Sequence, residues 1–405
     1  MATPKLRFKE FDGDWTSKQL GKIIGVSSAS RVFKEQWQDS GVPFFRTSDV
    51  VSIFKNKENE KAYISLELFE ELAKKSGKIK QGDLLVTGGG TIGIPYLVPN
   101  DQPLYFKDAD LLWMKSSGIV EGSFLYNFFI SPKFREYLKS ISHTGTISHF
   151  TIEQAKATPF GFPSKEEQTK IASFLSAVDE KISQLTQKHE LLSQYKQGMM
   201  QKLFSQQLRF KADDGSEFGE WEEIKLTDFL KFTPRPIEKP NTNYHALGVR
   251  SHFKGLFNKF DSEPNKISMD TLYRVKRNDV VVNITFAWEG AMAIAEKEHD
   301  EGLVSHRFPT YLCDDSKINL HFFKYRFIQK DFLSALQLCS PGGAGRNRVL
   351  NKSAFLEISF SKPTLEEQTK IANFLSSIDQ KIEIVAQQIE QAKTWKKGLL
   401  QQMFV

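Results

Sequence analysis

One stretch of this chain occurs twice. Pro163-Ser-Lys-Glu-Glu-Gln-Thr-Lys-Ile-Ala-Ser-Phe-Leu-Ser-Ala-Val-Asp-Glu-Lys-Ile182 returns 200 residues later as Pro363-Thr-Leu-Glu-Glu-Gln-Thr-Lys-Ile-Ala-Asn-Phe-Leu-Ser-Ser-Ile-Asp-Gln-Lys-Ile382, with 14 of the 20 positions identical. The register holds to the segment ends, where Gly198 aligns with Gly398 and Phe204 with Phe404. Such a match at a single offset is an internal duplication, so any fold for this chain must place two equivalent elements.

Each copy opens with a proline, a hydroxyl residue (Ser164, Thr364) and a glutamate three places on (Glu167, Glu367). This spacing predicts a capping box, in which side chains satisfy the orphan N–H groups of a helix start. Apolar residues then recur at intervals of three and four. They are Ile171, Leu175, Val178, Ile182, Leu185 and Leu192 in the first copy, and Ile371, Leu375, Ile378, Ile382, Val385 and Ile389 in the second. A seam of period 3.5 over several heptads predicts coiled-coil pairing. Each helix would run for about 40 residues, or roughly 60 Å. Lys196 and Lys396 interrupt the seam at the same place. A lysine there either fixes register or snorkels past an apolar edge.

The chain thus reads as block 1–162, helix 163–205, block 206–362 and helix 363–405. The two blocks open alike. Leu6-Arg-Phe-Lys9 recurs as Leu208-Arg-Phe-Lys211, each followed by an acidic turn and a tryptophan (Trp15, Trp221). Gly82-Asp-Leu-Leu85 has its counterpart in Asn278-Asp-Val-Val281, while the interiors otherwise diverge. Short β-type runs (Pro43–Arg46, Asp83–Val86, Leu111–Met114; Val280–Phe286, Ala291–Ala295, Phe308–Leu312) alternate with amphipathic stretches at Leu66–Ser76, Ser123–Ser140 and Leu320–Leu338. Each block is predicted to be a mixed α/β domain, and the whole chain α+β.

With 405 residues, 40% hydrophobic and 34 of them phenylalanine, the chain is long enough for two cored domains. No apolar run reaches the length of a membrane span and no signal-peptide core is visible, so a cytoplasmic location is expected. Cys313 and Cys339 fit neither a zinc spacing nor a disulfide framework. A net charge of +6 is a weak bias, so nucleic-acid binding would have to come from local patches.

Such patches gather in segments that read as loops. In the first block they are Arg46, Thr47 and Ser48; Lys74, Lys75, Lys78 and Lys80; Thr87, Gly89, Gly90 and Thr91; and His143, Thr144, Thr146 and Ser148. In the second they are Arg250 and Lys254; Arg274, Lys276 and Arg277; Arg307; and Gly343, Arg346, Asn347 and Arg348. Cations, small hydroxyls and amides suit DNA phosphates and base edges, although any one such segment can equally be a solvated loop. Gly88-Gly-Gly-Thr-Ile-Gly93 fits a dinucleotide fingerprint, but that motif must open a helix and this chain continues Ile94-Pro95. No Walker A loop, zinc-binding His-Glu-x-x-His, nucleophile elbow, methyltransferase Asn-Pro-Pro-aromatic motif or acidic nuclease cluster is found, and the eight histidines form no metal group.

The repeated Pro-x-x-Glu-Glu-Gln-x-x-Ile-Ala-x-Phe-Leu-x-x-x-Asp-x-Lys-Ile, heading long helices after two divergent blocks, resembles the specificity subunits of type I restriction-modification systems. Gly82-Asp-Leu-Leu85 and Gly342-Gly-x-Gly-Arg-x-Arg348 look like further family features. Asn278 stands where the family's usual glycine precedes Asp279, which puts the local turn in question. The resemblance implies two target-recognition domains separated by antiparallel coiled-coil helices in a pseudo-two-fold repeat. Each domain would read half of a split DNA target. The helices would set the gap and dock two methyltransferase subunits. The chain itself would be non-catalytic and bind no metal or cofactor. S-adenosylmethionine would enter with the methyltransferase subunits, and ATP and Mg²⁺ with motor-nuclease subunits. Two rival readings are a methyltransferase or nuclease within one block, which lacks its motifs, and a coiled-coil scaffold without nucleic acid.

Overall fold

The computed structural model describes residues 3–141, 149–342 and 348–405. The duplicated stretches form two long helices, Lys165–Phe204 and Leu365–Met403. The chain divides at the middles of these helices, with Met1–Lys188 and Val385–Val405 in one compact unit and His189–Ile384 in the other. Each unit therefore holds one block, the first half of the long helix that follows it, and the last part of the other long helix.

In the first unit, a four-stranded antiparallel sheet runs in the order Gly25–Ser27, Leu111–Lys115, Leu84–Thr87, Pro95–Leu97. A smaller sheet centres on Val42–Phe45, antiparallel to Ala62–Ile64 and parallel to Tyr105–Phe106. Helix Leu66–Ser76, capped by Ser65, packs Phe69, Leu72 and Ala73 against it. The strands Thr16–Gln19 and Pro159–Phe162 pair and bring the two ends of the block together.

The amphipathic stretch Ser123–Ser140 was expected to be one helix and is two, Gly122–Ile130 and Pro132–Ser140. Ser131 caps the second helix, and Pro132 occupies its first turn, where a missing N–H costs nothing. Likewise Leu320–Leu338 divides into Leu320–Phe327 and Lys330–Leu338.

The helix stripe has a wider role than pairing. Ile171, Leu175 and Val178 join Trp15, Phe124, Phe128 and Phe160 of the block and Leu399, Leu400, Met403 and Phe404 of the other long helix in one core. Phe404 packs against Phe124 with ring centres 5.1 Å apart, and Phe124 also meets Trp15, while further along Lys396 reaches Asp179. The two segments therefore run antiparallel within this unit. In the second unit Ile371, Leu375 and Ile378 pack with Leu203, Phe322, Phe323 and Phe360 in the same manner. Leu185, Val385 and Ile389 are buried, whereas Ile182, Leu192 and Ile382 are half-buried.

The capping box is half realised. Ser164 and Thr364 accept the N–H groups of Glu167 and Glu367 at 3.4 and 3.5 Å, but the glutamate side chains turn into the domain. Glu167 takes a two-pronged contact from Arg7 at 2.8 and 2.7 Å and the Trp15 indole N–H at 3.3 Å. Glu367 takes Arg209 at 3.1 and 2.7 Å. Gln168 and Gln368 accept the N–H of Glu121 and Asn319, the residues that cap the domain helices. The repeated Glu-Gln pair is thus a weld between long helix and block. Once Arg7 and Arg209 occupy the glutamates, these side chains are not free to return to the cap.

The second unit repeats the plan with a four-stranded sheet ordered Leu230–Phe232, Thr310–Cys313, Val280–Val282, Met292–Ile294. Its second sheet has five strands, ordered Pro236–Glu238, Thr271–Arg274, Leu303–Val304, Tyr244–Val249, Leu256–Ser262. Where the first unit lays helix Leu66–Ser76, this one has only the turn Pro264–Lys266. A hollow of about 700 Å³ is left beside Leu247, Leu272 and Val304. The turn put in question by Asn278 is preserved: Asn278 adopts φ +71 where Gly82 has +85, a left-handed conformation that asparagine tolerates. Asp83 and Asp279 close the two turns by accepting the N–H of Lys80 and Lys276 at 2.9 and 2.8 Å.

Among the described residues no helix is long and apolar enough to cross a membrane, and no group of His, Cys, Asp and Glu is placed to hold a metal ion.

Candidate nucleic-acid interface

The strand after the Asp turn ends in equivalent loops in the two units. In the first, Thr87 N–H bonds to Ile94 O at 3.0 Å, closing the loop Gly88–Gly93. In the second, Asn283 N–H bonds to Ala291 O at 2.9 Å, closing Ile284–Gly290. The segment that leads to the long helix then docks on each loop. Phe150 N–H donates to Gly88 O at 2.7 Å, and Leu350 N–H donates to Ile284 O at 2.8 Å. The second loop escaped sequence reading because it is not glycine-rich, and Val280–Phe286 read as one strand when the strand stops at Val282.

Around the first loop, Thr47 and Ser48 open the helix Thr47–Phe54. This segment was expected to be a loop, because Arg-Thr-Ser carries no apolar periodicity. Gly90 lies open beside Thr47, and Thr91 is exposed. Gly93 is required twice over. Its φ is +69, and a Cβ there would stand 2.7 Å from Leu138 and 2.9 Å from Phe134. A strand, Pro95–Leu97, follows the glycines, so no helix opens to hold a pyrophosphate.

Several expected contact residues are committed elsewhere. Thr87 is fully buried, its hydroxyl donating to Thr91 O at 2.5 Å and accepting Ile94 N–H at 2.9 Å. Its role is to close the loop, and it cannot face a ligand. Gly89 is buried against Asp110. Arg46 is clamped by Asp49 at 2.9 and 3.3 Å and by Glu60 O, and lies over the Trp37 ring. The hydrogen bonds that its guanidinium donates to Asp49 hold its pKa above the usual value.

Other candidates fall at the opposite end of the sheet. Lys78 and Lys80 precede the start of strand Leu84–Thr87, and Lys74 and Lys75 end helix Leu66–Ser76, with Lys75 paired to Glu71 at 2.8 Å. In the second unit Arg274 and Lys276 share Glu301, and the Arg277 N–H bonds to Asp300. All three lie before strand Val280–Val282, away from the loop at its end. The expected patches are therefore two groups in each unit. His143, Thr144, Thr146 and Ser148, and Gly343, Arg346 and Asn347, lie outside the described residues.

The second unit gathers three segments at its loop. Ile284 N–H bonds to Arg307 O at 3.0 Å, and the Arg348 guanidinium lies 5.1 Å over the Trp288 ring. His252 and Phe253 donate their N–H groups to Glu289 O and Gly290 O at 2.7 and 2.8 Å, setting Arg250 and Lys254 beside the loop. His252 and Phe253 hold left-handed φ values of 60 and 53, a strain that surrounding structure must maintain. Ser251 Oγ donates to Glu289 Oε2 at 2.6 Å. The hollow beside the sheet opens here, bordered by Ser251, Asn283, Phe286, Glu289, Ser305 and Phe308. Arg250, Lys254 and Arg307 are exposed and Arg348 half-buried. Asn283, Trp288 and Glu289 were missed by sequence reasoning. The only signal for them was alignment of Val280–Val282 with Leu84–Val86.

The arrangement agrees with what the chain is similar to. The family model described as "Type I restriction modification DNA specificity domain" matches residues 12–194 and again 219–394. The type I restriction enzyme MjaIX specificity subunit of Methanocaldococcus jannaschii is 26% identical over 365 residues, covering 82% of this chain and 81% of the relative. The HindI specificity subunit of Haemophilus influenzae is 28% identical over 203 residues, 47% of this chain and 41% of its own length. The crystal structure of a type I restriction-modification S subunit from M. genitalium shares the fold with a TM-score of 0.58 at 17% identity, covering 100% of this chain and 99% of that one. Two family matches, each running from a block into the long helix that follows it, make this chain a member of the type I restriction-modification specificity subunits, the subunits that recognise DNA sequence.

Proposed function

We propose that each unit reads one half of a bipartite DNA target through the end of its sheet that carries Gly88–Gly93 or Ile284–Gly290. The observation that carries this is a shared frame with unlike contents. Both loops are closed by the same backbone bonds and met by the same following segment, yet one is Gly-Gly-Gly-Thr-Ile-Gly and the other Ile-Thr-Phe-Ala-Trp-Glu-Gly. Equal placement with unequal side chains suits two readers of different sequences.

The long helices set the unread gap and dock two methyltransferase subunits, which bring S-adenosylmethionine. Motor-nuclease subunits add ATP and Mg²⁺ chemistry. The chain itself supplies contacts, not reacting groups.

Replacing residues 10–160 with the block of a relative and mapping methylated sites tests independent reading. One half-site should change and the other stay. Inserting four residues near Gln187 adds about 6 Å of helix, so the gap should lengthen by one to two base pairs at about 3.4 Å each. An active insertion variant with an unchanged gap would remove the helices as spacers.

A further inference from the structure

Glu289 is out of place electrostatically. It sits in a loop flanked by Arg250, Lys254, Arg307 and Arg348, yet among the described residues it pairs with no cation. Ser251 holds Oε2 at 2.6 Å, which orients the carboxylate and leaves Oε1 able to accept. A carboxylate on a face that meets phosphates is repelled unless it accepts a hydrogen bond there. In the major groove the donors that suit it are the exocyclic amines of adenine and cytosine, whereas guanine O6 and thymine O4 would repel it.

Asn283 borders the same hollow and is only 8% exposed. Its Oδ1 accepts Thr285 N–H at 3.1 Å, while its amide nitrogen donates to nothing among the described residues. That nitrogen is not sealed from solvent but reaches the hollow, where it is open to donate to a ligand. A donor and an acceptor that line one hollow match adenine, which offers N7 and N6–H in the major groove. Cytosine would satisfy the carboxylate alone.

We propose that Glu289 and Asn283 are the specificity-determining pair of the second unit and select a base with an exocyclic amine, adenine ahead of cytosine. This rests on the proposal that the loop end of the unit faces DNA. The left-handed pair His252–Phe253, held by Glu289 O and Gly290 O, keeps the loop in one conformation for that purpose.

The test is selection from a randomised duplex library by the full-length chain, with Glu289→Gln, Glu289→Ala and Asn283→Asp beside it. The half-site of the second unit is identified as the one that changes when residues 206–362 are exchanged. One of its positions should favour adenine. Glu289→Gln, which still accepts from Ser251, should reduce that preference roughly fivefold to a hundredfold, the range of one base contact. Asn283→Asp keeps the acceptor for Thr285 but loses the donor, so it should shift the position towards cytosine. Every other position should stay as in the wild type.

If Glu289 is only a solvated acid, both of its variants will bind all sequences more tightly and equally, and the proposal falls. An unchanged preference in Glu289 variants that melt like the wild type also overturns it. A wild-type chain that enriches no sequence would refute DNA reading itself, a result distinct from either.

Discussion

Lys396 places its ammonium 2.6 Å from both carboxylate oxygens of Asp179. The duplicate pair repeats this, with Lys196 2.6 Å from Asp379, whose other oxygen accepts the Tyr325 hydroxyl at 2.7 Å. The lysine that interrupts each stripe therefore meets the aspartate of the other copy's Asp-x-Lys-Ile. A slip of one heptad would move the partners about 10 Å apart, so the pair fixes axial register.

Lys396→Met should cost at most about 1 kcal/mol, because Asp179 is half exposed and the pair is screened. Exchanging the charges, Lys396→Asp with Asp179→Lys, should recover most of that loss in urea melts. A double variant no better than the sum of the singles would leave the pair without a register role.

The two welds should differ in strength. Arg7→Met leaves Glu167 with the Trp15 N–H, whereas Arg209→Met leaves Glu367 without a side-chain donor, since the Trp221 indole N–H is buried and unpartnered. Breaking a buried pair from one side costs about 3–5 kcal/mol. Arg209→Met is expected at the upper end and Arg7→Met below it; equal losses in chemical denaturation would contradict the assignment.

Gly90 and Gly93 both have positive φ, but only Gly93 is hemmed in by side chains. Gly93→Ala should destabilise the first unit by well over 1 kcal/mol, combining strain with overpacking against Leu138 and Phe134. Gly90→Ala should melt within about 1 kcal/mol of the parent, its cost being backbone strain alone. Thermal melts of the two variants separate these cases.

Arg348→Ala should weaken DNA binding by about 1–3 kcal/mol if the stacked guanidinium reads a guanine edge. Arg274→Ala, at the other end of the sheet and paired to Glu301, should bind as the parent does. Anisotropy titrations at two salt concentrations would show it, and equal losses would mean that DNA contacts both ends.

Burial raises the Cys313 thiol from 9.0 to about 12, with Asp315 and Asp314 adding to the effect. The fold favours the neutral thiol, so stability is full below pH 9 and declines between pH 9 and about 12 as the unfolded thiol ionises first. Iodoacetamide at pH 8.5 should label Cys313 slowly in the native chain and fast in urea. Rapid native labelling would show an accessible thiolate.

The long helices and Leu66–Ser76 were legible because their stripes extend over several turns between recognisable starts. The break at Ser131-Pro132 was not, since the apolar period continues across a proline that a helix start accepts. Divergence hid the loop Ile284–Gly290: Thr87 and Asn283 hold the same backbone position, but nothing in Ile-Thr-Phe-Ala-Trp-Glu-Gly resembles a glycine loop. The position of the lysines was hidden for a different reason. Sequence proximity to the Asp turn places Lys80 and Lys276 at the start of a strand, and only pairing shows that the loop lies at its other end.

The core of the first unit contains Leu399, Leu400, Met403 and Phe404, made about 200 residues after its own Lys188. The second unit is continuous from His189 to Ile384. On a ribosome adding about 5–20 residues per second, the block translated first waits roughly 10–40 s for its last core side chains, while the block translated second has all of its own. Vectorial synthesis thus inverts the order of maturation, and the earlier block is the one left open to proteases and chaperones in the interval.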